Sequence, residues 1–161
     1  MSIIDDHEFT PFLIRAKRAT YAGGDAESGT RTTPSRQGSH DLVYREGPWA
    51  YLDTYLGGFS FIGEEAVWKD DRPVWGMNYY GSMTAAAGGI IPEGFSDFLK
   101  LSLRAVTPEA PYRGPAQLTQ GRYTYTCRWT GSPERFRGDE QITLDGVVIY
   151  TLDFHGGLIC E

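Results

Sequence analysis

The sequence is poor in what would staple a fold or anchor it. It holds two cysteines, Cys127 and Cys160. One bridge is conceivable but no disulfide framework is implied, and no C-x-x-C or Cys/His spacing points to zinc. Two reduced thiols fit a cytoplasmic protein. The histidines are His7, His40 and His155, and none stands in an H-E-x-x-H, H-x-x-E-H or H-x-H arrangement, so no metal is expected. No apolar run approaches the length of a membrane span. The acidic start, with Asp5, Asp6 and Glu8, lacks the basic region and apolar stretch of a signal peptide. Basic residues are outnumbered, 15 Lys and Arg against 21 Asp and Glu, for a net charge of −6. A phosphate backbone is held mainly through Lys and Arg, so nucleic acid is not the expected partner. The glycine pairs form no G-x-G-x-x-G or Walker pattern and no G-x-S-x-G elbow, and no cofactor is expected.

Rings are what the chain has in excess. Aromatic residues make up 14% of 161, within an ordinary 40% hydrophobic and 22% charged composition. That length suits one domain over residues 1–161 with a core that needs no staple. Large rings either fill such a core or line a ligand cavity.

Asp5 and Glu8 stand at capping-box spacing ahead of an apolar stripe, Phe9, Phe12, Leu13 and Ala16. The pattern predicts an amphipathic helix over 6–19, docked on a sheet and either bent at Pro11 or beginning there. Residues 23–39 carry no large apolar side chain and read as a loop, either a plain surface excursion or a lid. Strand-like runs follow at 41–46, 49–56, 59–69 and 73–81, separated by turns too short to join anything but antiparallel neighbours, hence a meander over 41–81. A second helix is predicted over 92–106, opened by Pro92 and striped with Phe95, Phe98, Leu99, Leu103 and Val106. Three strands are predicted within 121–155, at 121–130, 134–144 and 147–155, the last two joined by an Asp145-Gly146 hairpin. The class is α+β: a largely antiparallel, curved sheet of about seven strands with two main helices packed on it.

The meander holds the candidate site. Residues 40–81 carry ten aromatic and seven acidic side chains. In the run 49–56, strand alternation puts Trp49, Tyr51, Asp53 and Tyr55 on one face. A carboxylate among rings loses hydration, which raises its pKa unless donors or cations compensate. Asp53 is therefore a candidate general base or ligand anchor, or else an acid tied structurally to a tyrosine or an arginine. Glu64 and Glu65 point to opposite faces, and one of them, taken here as Glu65, joins the pocket with Tyr79. Tyr112-Arg113 sits in a proline-bounded turn, where Arg113 either clamps a ligand anion or pins the turn to an acid of the sheet. His40 and His155 sit at strand ends and are further catalytic candidates.

Several segments together resemble a known family. They are Phe12–Lys17 with Thr20–Gly24, Gly38–Leu42, Tyr44–Gly47, Asp53–Gly58, Gly63–Trp68, Met77–Gly81, Pro111–Pro115 and Phe154–Gly157. The family is one of uncharacterised bacterial and archaeal proteins known only as a domain of unknown function, sometimes fused to an N-terminal helix-turn-helix regulator. The resemblance implies a free-standing domain of that family and supplies no catalytic residues.

Three functions follow. The first is a sensor-like domain binding a small organic ligand with a hydrogen-bond donor or a positive charge, matched by Asp53 and the tyrosines. The second is a small-molecule enzyme (an isomerase, cyclase or hydrolase) in which Asp53 or a histidine moves a proton. The third is a structural or interaction domain with the acids as internal pins. A homodimer is compatible with each; a membrane partner is not expected.

Overall fold

Fourteen residues of apolar-striped sequence form the first helix, α1 (Phe9–Ala22), in the computed structural model, which describes residues 3–22 and 31–160. The helix starts later than the capping pattern predicts. The Asp6 carboxylate accepts a hydrogen bond from the Glu8 N–H at 3.0 Å, a single tight turn, Ile3–Asp5, precedes it, and the helical ladder begins with the Phe12 N–H on the Glu8 carbonyl at 2.9 Å. Pro11 is the third residue of the helix. Its missing N–H would have no intrahelical acceptor there, so α1 passes through it. Phe9, Phe12, Leu13, Ala16, Lys17 and Thr20 share the buried face.

Eight strands form one antiparallel sheet: β1 (His40–Glu46), β2 (Trp49–Gly57), β3 (Ser60–Lys69), β4 (Arg72–Met83), β5 (Gln117–Gln120), β6 (Tyr123–Ser132), β7 (Arg135–Leu144) and β8 (Val147–Leu158), in the order β1-β2-β3-β4-β8-β7-β6-β5. Two four-stranded meanders thus join along the β4–β8 seam. The expected count of about seven omits β5, whose four residues, Gln-Leu-Thr-Gln, hold one apolar side chain and show no alternation. Two hairpin turns place aspartates in the left-handed region, Asp145 ahead of Gly146 between β7 and β8, and Asp70-Asp71 between β3 and β4.

The second helix, α2 (Phe95–Arg104), lies in the connection from β4 to β5 and is shorter than 92–106, because Gly94 with φ of 79° breaks the first turn away from it. Arg18 of α1 donates to the carbonyls of Arg104 at 3.2 Å and Val106 at 3.1 Å. A cation there meets the negative end of α2's dipole and ties the two helices together.

Both helices cover one face of the sheet. Strands β3 and β7 are separated by β4 and β8, about 14 Å in a flat sheet. The Arg113 guanidinium bridges that gap, 2.8 Å from Glu140 of β7 and 4.0 Å from Glu65 of β3, because both glutamates lean toward it. Two bulges interrupt the ladder, Val74 of β4 opposite Val67/Trp68 and Ile149 of β8 opposite Ile142/Thr143, so β4 and β8 are the strands that kink. Most of the rings are spent on the core. Trp75 stacks on Phe136 at 5.5 Å, Phe136 on Tyr112 at 4.1 Å, and Trp49 on Phe12 at 5.4 Å.

Lys17 points into this core with no solvent exposure and forms an ion pair with Glu65, equally buried. It also donates to the Tyr112 carbonyl at 2.7 Å. Removing one member of a buried pair leaves the other uncompensated. Lys17→Met is therefore expected to cost about 3–5 kcal/mol in urea unfolding, and Glu65→Gln added to it to recover much of that loss. A cost under about 1 kcal/mol for the single change, the size of a solvated pair, would contradict the burial.

Candidate functional site

Register assembles the site. Asp53 of β2 stands directly opposite Glu65 of β3, and Gly63 of β3 stands between Tyr55 of β2 and Tyr79 of β4. Because Gly63 has no side chain, the Tyr79 ring lies flat across β3; a Cβ there would come within 2.3 Å of the Tyr79 hydroxyl. Tyr79 uses this passage to donate its hydroxyl to Oδ1 of Asp53 at 2.6 Å.

A cavity of about 380 Å³ opens over this point. Its walls come from the last turn of α1 (Thr20, Tyr21), from α2 (Phe95, Leu99, Leu103) and from the sheet (Tyr55, Phe61, Tyr79). Asp53 and Arg113 lie at its inner end, each under 5% exposed, while Arg31, Ile91 and Lys100 stand toward solvent. Apolar walls around a few convergent polar groups are the common form of a small-molecule site.

Behind the cavity, the polar groups make a connected network. Arg113 clamps Glu140 with two bonds, Nε at 3.1 Å and Nη2 at 2.8 Å. Glu140 also accepts the hydroxyls of Tyr125 at 2.6 Å and Tyr150 at 2.9 Å. Glu65 accepts the Lys17 ammonium and the Tyr21 hydroxyl. Burial pushes the Tyr21, Tyr79 and Tyr150 phenols well above their ordinary range, so each stays a donor. Burial likewise pulls the Lys17 ammonium down, against the attraction of Glu65.

Three carboxylates (Asp53, Glu65, Glu140) thus share this interior with two cations, Lys17 and Arg113. Glu65 and Glu140 take the cations; Asp53 has a phenol. Burial, then the neighbouring charge of Glu65, push the Asp53 carboxyl up to about 7, against the Tyr79 hydrogen bond and the fields of Arg113 and Lys17. Its Oδ2 accepts no hydrogen bond among the described residues.

The residues singled out from sequence divide. Asp53, Tyr55, Tyr79 and Arg113 line the cavity. Glu65 lies behind it, and Glu64 is exposed. Arg113 is pinned to Glu140. Trp49 and Tyr112 are core rings away from the cavity; Tyr51 is 1% exposed, and its hydroxyl has no hydrogen-bond partner. His40 is exposed and stacks on Tyr55 at 4.8 Å, at the edge of the site. His155 is on the wrong face to act with Asp53. Phe154 points inward, so His155 points out, onto an open depression of about 550 Å³ shared with Arg128, Arg137, Asp139 and Asp153. Of the loop 23–39, residues 23–30 lie outside the described residues. The rest is fastened to the sheet's outer face by Asp41, which accepts the Ser35 N–H at 2.9 Å and the Thr54 hydroxyl at 2.7 Å. Burial raises the Asp41 pKa, but bonds from Ser35, Thr54 and Ser39 outweigh it and hold it at about 2.

Lys17, Tyr21, Glu140, Tyr125 and Tyr150 were not anticipated. Two of them carried a signal. Lys17 interrupts the apolar stripe of α1, and Glu140 alternates in line with Phe136 and Ile142, the same kind of misplacement that marks Asp53.

Asp53 makes stability depend on pH. An unfolded aspartate ionises near about 3.9. The folded chain holds the proton up to about 7, so stability from this group is complete in acid and is lost as pH rises through 7. Asp53→Asn abolishes that loss. Its stability gain over the wild type is expected to be larger at pH 8 than at pH 5 by about 3 kcal/mol in urea unfolding. A gain independent of pH would mean that Asp53 titrates normally.

Comparison with known proteins gives one match. A search among curated proteins and one among solved structures each found none. The family profile described as Domain of unknown function (DUF5680) matches residues 53–159, a span that takes in Asp53, Glu65, Tyr79, Arg113 and Glu140 and excludes α1. That span is well over half of the chain, and the protein belongs to the DUF5680 family.

Proposed function

We propose that the protein is a small-molecule-binding domain of the cytoplasm and that its ligand enters the cavity over Asp53. One observation carries this reading. A buried carboxyl keeps one oxygen unbonded at the inner end of an apolar cavity of about 380 Å³. An acid retained only as an internal pin would have both oxygens occupied, as Glu140 does. That oxygen is not sealed away, since the Tyr51 hydroxyl alone is both buried and without a partner among the described residues, so it is open to a ligand in the cavity. A sensor role fits a fold in which the ligand touches α1, α2 and the sheet at once. The fusion to helix-turn-helix regulators, which the resemblance implies for some relatives, is in keeping with it.

A second reading has its own support. A carboxyl held at about 7 both takes and gives a proton at neutral pH, as a general acid–base catalyst requires. Arg113, whose Nη1 makes no hydrogen bond among the described residues, would steady negative charge developing on a bound carbonyl.

Leu99 lines the cavity without touching the charged network. In a thermal-shift screen of a broad small-molecule library, compounds that stabilise the wild type should lose their effect on Leu99→Trp, which fills the cavity. Hits that shift both proteins equally, or none at all, would defeat the binding reading. With a hit in hand, Asp53→Asn separates the two roles: weaker binding for a sensor, intact binding with lost turnover for an enzyme.

A further inference from the structure

The charge balance around Asp53 narrows the ligand class. The enclosed charged and titratable groups around Asp53 are Tyr51 and Tyr55 on its own strand, Glu65 on β3, Tyr79 on β4, Lys17 and Tyr21 on α1, and Arg113 in the turn after α2 with Glu140 behind it; Arg31 and Lys100 line the same cavity on its solvent side, where water screens them. The phenols are neutral, and Lys17 and Arg113 are held by Glu65 and Glu140. With Asp53 ionised, this enclosed group carries one uncompensated negative charge, which a proton on Asp53 removes. A bound cation would remove it equally well. A bound anion would add a second negative charge to a volume that already holds three carboxylates.

Resting on the binding reading above, we infer that the cavity takes an organic monocation, an ammonium group on an apolar body, seated against Oδ2 of Asp53 in place of a proton. The surroundings suit each part of such a molecule. The rings of Tyr55, Phe61 and Tyr79 line the cavity, and the Arg113 guanidinium over the Tyr79 ring, 5.1 Å from its centroid, is one cation that this aromatic lining already holds. Phe95, Leu99 and Leu103 supply apolar wall for the body. Arg31 and Lys100 toward the mouth repel a second positive charge, which selects against diamines.

A matched set of probes tests this by calorimetry: hexylammonium, hexanol, hexanoate and hexamethylenediammonium. Hexylammonium is expected to bind about tenfold or more tightly than hexanol, as a charge-assisted hydrogen bond allows, with hexanoate weaker than both. At pH 6, heats measured in buffers of different ionisation enthalpy should report close to one proton released per hexylammonium bound. Asp53→Asn should keep hexanol binding and lose the preference for hexylammonium. Hexamethylenediammonium should bind more weakly than hexylammonium and improve in Lys100→Glu, a change at the half-exposed edge that leaves the network intact. Equal binding of hexanol and hexylammonium, a preference for hexanoate, or an ammonium preference that survives Asp53→Asn would overturn the cation and leave the binding reading standing. Failure of all four probes would also overturn it, and the library screen with Leu99→Trp would then decide the binding reading separately.

Discussion

Five ionisable side chains are enclosed in one water-poor volume, and the arrangement of the molecule around them follows from the need to keep that volume near neutrality. Charges removed from water are tolerated only when each finds a partner of opposite sign and its remaining hydrogen-bonding positions are filled. Glu140 meets this in full, with an arginine fork and two tyrosine hydroxyls. Glu65 meets it with a lysine and a tyrosine. The third acid has a phenol and no cation of its own, and it is the one that borders open space.

The same requirement gathers distant strands. The glutamates of β3 and β7, three strand spacings apart, both lean toward Arg113. Two helices cover the face on which they meet. The helices meet each other and the sheet over most of that face but leave a gap over Asp53, where Thr20 and Tyr21 of α1 stand opposite Leu99 and Leu103 of α2. The pocket is thus a product of how two cylinders close over a sheet.

Part of this was legible in the chain. Alternation in 49–56 put Asp53 among rings because strand faces follow a two-residue period whatever the neighbouring strands do. The antiparallel sheet and both helices could be read from turn spacing and apolar stripes, while β5, four residues with one leucine, left no pattern to read. Lys17 and Glu140 carry the same mark, a charge on an apolar face, but a lone charge in a helix or strand is common enough that the mark does not by itself single them out. Partnership was not legible at all. That Asp53 faces Glu65, that Arg113 reaches Glu140, or that Tyr79 crosses a bare glycine depends on register and on strand order, and a single sequence fixes neither. His155 shows the cost: a strand end attracts attention, but one residue of parity put it on the other side of the sheet.

The Lys17 ammonium is held at once by Glu65 and by the carbonyl of Tyr112, partners 48 and 95 positions along the chain. A chain emerging from the ribosome has its first helix and first four strands before residue 112 is made. Until then one acceptor of that ammonium does not exist. Contacts this distant in sequence are formed slowly, since the intervening loop must close before they return any free energy. The buried ammonium is therefore fully satisfied only once the chain beyond α2 has been made and folded back on α1.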